Sequence, residues 1–140
     1  MTNAMDAASL NSFMQAEFPQ VAADFRVERI APMEADIRML IGEQHLRPGG
    51  TVSGPSMFAL ADLAMYAVLL GMIGPVALAV TTNASIDFMR KPEAGRDLIG
   101  YARLHKLGKT LAVGDVLIRN AGSEAVLARS SMTYAIPPRR

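Results

Sequence analysis

Apolar residues recur along the chain in two rhythms, and the switches between them mark out the elements. Over residues 8–20, Leu10, Phe13, Met14 and Phe18 fall at helical spacing, which predicts a short N-terminal helix with Pro19 near its end, suited to cover an apolar patch or to form part of a pocket mouth. Residues 24–30 alternate apolar with polar, the period of a half-buried strand. Ala31-Pro32 marks a turn, and 34–41 alternates again with Ala35, Ile37, Met39 and Ile41 on one face, so the two segments read as a hairpin. Residues 42–54 are irregular and glycine-rich. Pro55 then suits the first position of a helix, where its missing N–H costs nothing, with Ser53 or Gly54 as the cap. The helix predicted over 55–70 is apolar on nearly every side, so it is expected to be buried on nearly every side, wrapped by a sheet rather than lying on a surface. Phe58, Asp62, Tyr66 and Leu69 share one of its faces, and Asp62 is its single charge.

Beyond Gly71–Pro75 the period returns to two. Residues 76–89 read as a long strand with Ala77, Ala79, Thr81, Asn83, Ser85, Asp87 and Met89 on one face, and Val80, Thr82, Ala84, Ile86 and Phe88 on the other. Three more strands are expected over 97–106, 110–119 and 124–136, the last two joined at the turn signal Asn120-Ala121-Gly122-Ser123. The order of helix, two strands, long buried helix and four strands predicts one α+β domain over 1–140. In it an antiparallel sheet curls around the central helix, and residues 1–20 form an N-terminal helical extension.

Composition narrows the function. Of 140 residues 51% are hydrophobic and 19% charged, which suits a packed core and excludes a disordered chain. A net charge of +1 without a basic run argues against a nucleic-acid partner. The absence of Cys excludes a disulfide framework, a thiolate nucleophile, an iron–sulfur cluster and a thiolate zinc site, and fits a reducing compartment. The first twenty residues lack a basic flank and an apolar core, so no secretory signal is expected and the location expected is cytoplasmic. Residues 57–80 are long enough to span a bilayer, but Asp62 in a lone span costs about 3 kcal/mol, and Gly71, Gly74 and Pro75 interrupt the run. A buried helix, not a membrane partner, is therefore expected.

Asp62 is the centre of any chemistry. A carboxylate in an apolar helix must be hydrogen-bonded or reach a cavity. It is a catalytic acid–base group, a ligand-binding acid or a structural acid. The helix start at Gly54 and Pro55 aims backbone amides and the positive end of the helix dipole at an incoming anion. Gly54 and Asp62 lie roughly 12 Å apart along one helix, so they meet on one atom only if a second copy lies antiparallel. His45 and His105 form no metal pair, His45 reading as an ordinary loop histidine ahead of a pocket-lining one, His105 as a cross-strand contact and Asp87 as a strand-surface acid ahead of one near a seam between copies. Met57, Met65, Met72 and Met89 offer a soft apolar lining. Gly49-Gly50 lacks the Lys-Ser/Thr of a phosphate loop.

The stretch Gly50-Thr51-Val52-Ser53-Gly54-Pro55-Ser56-Met57-Phe58-Ala59-Leu60-Ala61-Asp62 resembles the loop and helix signature of hotdog-fold acyl-CoA thioesterases of the phenylacetate-pathway (PaaI-like) type. The resemblance continues through 80–92, through Gly108-Lys109-Thr110-Leu111-Ala112-Val113, and through Ala128-Arg129-Ser130, covering roughly residues 24–136. It implies a homodimer or homotetramer with sites between chains, and an acyl-CoA or related acyl thioester as substrate. It also implies Gly54 as oxyanion donor, Asp62 of the partner copy as general base or nucleophile, and Thr81 as a hydroxyl holding the water. Ser53 takes the place of the family's His, Pro55 of its second Gly and Arg47 of its Asn. Arg47, Pro55, Phe58, Tyr66, Arg90, Lys91 and Lys109 are candidate substrate contacts, with Arg90, Lys91 and Lys109 on turns suited to coenzyme A phosphates. No metal and no cofactor is called for. The altered loop leaves a rival on the same fold, a module that binds an acyl or aromatic ligand without hydrolysing it.

Overall fold

The computed structural model describes residues 2–138. Helix α1 spans Ala7–Glu17, capped by Asp6, whose carboxylate accepts from the Ser9 N–H while Ser9 answers to the Asp6 N–H. The predicted single N-terminal helix is divided at Phe18, and Pro19–Ala22 forms the short α2. Strands β1 (Phe25–Ala31) and β2 (Glu34–Met39) make the expected hairpin, with Met33 at φ 63 in the turn.

The long helix α3 runs Gly54–Ile73, three residues further than the periodicity predicts, and stops at Gly74, whose φ of 96 suits a residue without a Cβ. Strands β3 (Val80–Phe88), β4 (Leu98–Leu107), β5 (Leu111–Asn120) and β6 (Val126–Ala135) follow. The start of β3 falls four residues later than predicted, because residues 76–79 turn: Val76 N–H donates to the Gly74 carbonyl and Ala79 N–H to that of Val76. All pairings are antiparallel, in the order β1-β2-β4-β5-β6-β3.

The α+β class and the long buried helix agree with the sequence reading, but the sheet does not curl strongly around the helix as expected. It is an open six-stranded sheet with β1 and β3 at unjoined edges. Helix α3 lies mainly on β2, β4 and β5, and nearly every residue of β3 is exposed. The contact is close where glycines face the helix. Leu60 and Ala64 fill the space over Gly100, and a Cβ on Gly114 would sit 2.5 Å from the Arg103 carbonyl and 3.0 Å from Met65 Sδ. The physical reason the sheet need not wrap is a second cover. Leu10 and Met14 of α1 are fully buried, Phe18 meets Tyr66 edge-on at 5.6 Å, and the N-terminal segment reaches α3 through Ala4 N–H on the Gly71 carbonyl, 2.7 Å. By length and composition α3 could cross a membrane, yet 67% of its most apolar window is buried inside the fold.

The two sheet edges are finished differently. On β1 the Asn11 side chain docks like another peptide, donating to the Val27 carbonyl at 3.0 Å and accepting from the Val27 N–H at 2.8 Å. On β3 no described residue caps the free edge.

A register shift in β3 between Thr81 and Asn83 leaves Thr82 as the extra residue. Thr81 therefore pairs with inward-facing Tyr134, Asn83 with Thr133, and Ala84 with buried Met132. Thr81 thus shares the helix-facing side with Ala84, Ile86 and Phe88, and not, as strict alternation predicts, with Asn83, Ser85 and Asp87.

Candidate active site

Asp62 is half-buried midway along α3. Its Oδ1 accepts two hydroxyls, from Thr81 Oγ1 on β3 at 2.5 Å and from Tyr134 Oη on β6 at 2.8 Å. The same Tyr134 Oη also lies 3.1 Å from the Asp62 backbone carbonyl. Among the described residues no hydrogen bond reaches Oδ2. Both donors depend on the sheet: the bulge at Thr82 turns Thr81 inward, and Tyr134 is its direct partner across the ladder. The costly acid of an apolar helix is thus solvated by side chains of two strands.

Burial raises the Tyr134 phenol well above its ordinary value against a lesser pull from the Thr81 hydroxyl, and the Asp62 charge adds to the rise, so Tyr134 stays a protonated donor. Burial also pushes Tyr66 up to about 12, and its hydroxyl donates to the Ala77 carbonyl at 3.3 Å. A cavity of about 370 Å³ opens beside Asp62. Phe18 from the junction of α1 and α2, Val21 from α2, Phe25 from β1, Leu63 and Tyr66 from α3, and Val80, Thr81 and Tyr134 from the sheet line it. It is an apolar, largely aromatic chamber with one carboxylate at its wall.

A second cavity, about 390 Å³, lies at the start of α3 and is lined by Gly54, Arg47, Thr51, Val52, Met57 and the segment 88–92. Its charged residues are all cations: Arg47, Arg90 and Lys91. The Ser53 hydroxyl is engaged in capping, accepting from the Ser56 N–H at 3.3 Å and donating to Ser56 Oγ at 3.0 Å. Pro55 has no N–H, and the Gly54 N–H makes no hydrogen bond among the described residues. The amide left over at this helix start is therefore that of Gly54. The Phe88 ring lies over it, 3.4 Å from where a Cβ would be. His45 is buried and structural. Its Nδ1 accepts from the Gly42 N–H at 2.9 Å, its Nε2 lies 3.3 Å from Asp24 Oδ2, and its carbonyl accepts from the Ser53 N–H at 2.8 Å, which fixes the loop entering α3.

The sequence-derived candidates therefore fall into separate groups. Asp62, Thr81 and Tyr66 come together at one cavity, and Gly54, Arg47, Arg90 and Lys91 at the other. Ser53 belongs to the helix cap. Pro55 is exposed on the first turn and Phe58 is 37% exposed, and neither lines these cavities. Lys109 lines a different hollow, with Ile73 and Thr110, at the opposite end of α3. Of the four methionines, Met57 and Met89 line the Gly54 cavity. Met65 packs over Gly114, and Met72 Sδ accepts from the Met33 N–H at 3.2 Å. His105 is exposed and bonded to Asp115 at 2.9 Å, and Asp87 pairs with Arg129 at 3.0 Å. No cluster of three or more His, Asp or Glu able to hold a metal occurs among the described residues.

Tyr134 and Phe88 are site residues that the sequence reading missed, whereas Phe18 belongs to the N-terminal segment expected to cover an apolar patch or form part of a pocket mouth. Tyr134 carried a readable signal, since an inward-facing phenol on a strand requires a buried hydrogen-bond partner.

The model of the thioesterase superfamily matches residues 49–127, from the loop before α3 into β6. A candidate thioesterase from Silicibacter sp. TM1040 superposes with a TM-score of 0.92 at 57% identity, covering 99% of this chain and 96% of that one. A mutant of the phenylacetic acid degradation protein PaaI from Thermus thermophilus superposes with a TM-score of 0.73 at 27% identity, over 85% of this chain and 99% of that one. Human acyl-coenzyme A thioesterase 13 is 27% identical over 117 residues, 83% of this chain and 82% of that protein.

Proposed function

This chain belongs to the hotdog-fold thioesterase superfamily, and from that premise we propose that it hydrolyses an acyl-coenzyme A or related acyl thioester to the free acid and thiol, as a cytoplasmic homo-oligomer. The observation that carries the reading is Asp62: a carboxylate held at Oδ1 by Thr81 and Tyr134, open at Oδ2, on the wall of an apolar chamber.

A second copy completes the site. Gly54 and Asp62 of one chain are eight residues apart on one helix, roughly 12 Å. The free edge of β3, with Val80 at 55% and Phe88 at 53% exposure and Met89 just beyond it at 49%, is the surface on which an antiparallel copy docks. Such pairing sets the Asp62 end of one β3 beside the Gly54 end of the other. The acyl group then occupies the aromatic chamber, and Arg47, Arg90 and Lys91 face the phosphates of the carrier.

In this arrangement Asp62 takes a proton from water as the water oxygen bonds to the thioester carbon. The carbonyl oxygen, now negative, receives the Gly54 N–H and the field of the helix start, and one such donor contributes about 3 kcal/mol. Collapse of the tetrahedral adduct breaks the C–S bond, and the departing thiolate takes the proton from Asp62. Direct attack by the carboxylate would instead expel the thiolate to form a mixed anhydride, which water opens at the Asp62 carbon, releasing the free acid and leaving one water oxygen in the carboxylate. Single-turnover hydrolysis in H₂¹⁸O, with label found or not found in Asp62, separates the two routes.

One observation favours the second reading, ligand binding without turnover: the Ser53 hydroxyl, at the family's His position, is occupied with the helix cap. Thiol release from a panel of short, long and arylacetyl-coenzyme A substrates decides between them. The expected result is turnover that Asp62→Asn lowers by about a thousandfold with the fold intact. Tight binding of the same thioesters by a folded wild type that releases no thiol would establish the binding module instead.

A further inference from the structure

The two hydroxyls on Asp62 are unequal. Thr81 holds the carboxylate from an exposed edge strand, whereas Tyr134 comes from β6, inside the sheet, and is itself 3% exposed. Its Oη reaches both the side chain and the backbone carbonyl of Asp62, at 2.8 and 3.1 Å. Its ring is flanked by Tyr66, with centroids 6.3 Å apart. A carboxylate turns easily about its last torsion, which is broad and two-fold. A donor fixed to the same residue's backbone removes that freedom.

We infer that Tyr134 is the positioning residue of the site. Together with Thr81 it holds Oδ1, so that Oδ2 alone meets the attacking water. This rests on the thioester-hydrolysis reading and extends it to a group outside the loop and helix signature.

The surroundings leave Tyr134 this role. Among the described residues, Thr81 from β3, Tyr66 from α3 and Tyr134 from β6 are the polar side chains that line the chamber with Asp62, and no Lys, Arg or His lines it. The charge nearest to Tyr66 from α1 is Glu17, another acid. Asp62 is thus held by hydroxyl donors and not by a cation, and what the phenol sets is the direction in which Oδ2 points.

The test uses the full chain and the acyl-coenzyme A with the highest wild-type kcat/KM, with Tyr134→Phe, Asp62→Asn and Tyr134→4-aminophenylalanine assayed side by side. For Tyr134→Phe the expected result is kcat lower by about tenfold with KM within about twofold, the pattern of a group acting on the chemical step. The aminophenyl side chain keeps the shape and donates more weakly, so its kcat falls between those of the wild type and the phenylalanine variant at unchanged KM. A phenylalanine variant with unchanged kcat overturns the inference, as does a change in KM alone. If the phenylalanine variant does not fold, the aminophenyl protein decides by itself, and an unchanged kcat overturns the proposal. Loss of turnover in Asp62→Asn together with full turnover in Tyr134→Phe leaves the thioesterase reading standing and removes only this inference. A wild type without turnover removes both.

Discussion

The two edges of the sheet face the same physical hazard and meet it in opposite ways. A bare strand edge offers unpaired N–H and C=O groups to any other strand. On β1 that invitation is withdrawn: Asn11 from α1 satisfies both backbone groups of Val27, and the strand is bulged at Glu28. On β3 the edge is left open along Val80–Phe88, flanked by exposed apolar side chains at Val80 and Phe88. The pairing with a second copy proposed above uses the edge that is left open, not the one that a dedicated side chain closes. That open edge also joins the two cavities that hold Asp62 and Gly54.

The contrast breaks most sharply at Ala84, mid-strand on β3. Ala84→Lys places two like charges opposite each other in an antiparallel self-pairing. Sedimentation should show a folded monomer, with thiol release down by at least about a hundredfold, the effect of losing an oxyanion donor. A monomer that keeps full turnover would show that each chain carries a complete site. At the other edge, Asn11→Ala strands two partly buried backbone groups. It should cost about 2 kcal/mol of stability, read as a lower melting temperature, while the oligomeric state holds. Dissociation in this variant would mean that β1, not β3, is the self-association edge. The smallest effect is expected where β3 ends. Arg90→Ala with Lys91→Ala should raise KM for acyl-coenzyme A by about tenfold at low salt and leave kcat nearly unchanged. An equal rise for a thioester lacking phosphates would show that these cations do not read the carrier.

Much of this was legible in the sequence, for reasons that differ by element. Helix α3 announces itself by sixteen nearly uninterrupted apolar positions closed by Gly71 and Gly74, and Asp62 stands out because it is the single charge among them. Strands β1, β2, β4, β5 and β6 alternate cleanly, and their bounds fall within about two residues of the expected ones. What misled was the assumption that an apolar helix must be wrapped by strands. Leu10, Met14 and Phe18 cover it as well; their helical spacing is readable, but not the element on which that face packs. Residues 76–79 alternate like a strand although they turn, because local pattern does not distinguish Val76–Ala79 from the ladder that follows. The division of the candidate residues into two cavities was only partly foreseen. The 12 Å separation of Gly54 and Asp62 follows from helix rise, whereas the place of Lys109 depends on strand order and on which end of β5 it precedes.

The single extra residue at Thr82 has a further consequence, for how such sites are inherited. Everything downstream of it on β3 keeps its facing, while Thr81 is carried across to Asp62 by one surplus peptide unit. Straightening the strand with Thr82 kept in it would leave every side chain in the protein unaltered and still turn the Thr81 hydroxyl toward solvent, whereas deleting Thr82 would set Thr81 beside Asn83 in a regular ladder and keep it on the Ala84 face. A hydroxyl at this carboxylate is thus recruited or retired by backbone geometry alone. Relatives that match this chain letter for letter around Asp62 can therefore differ in what the acid touches, according to whether their strand bulges between the positions of Thr81 and Asn83.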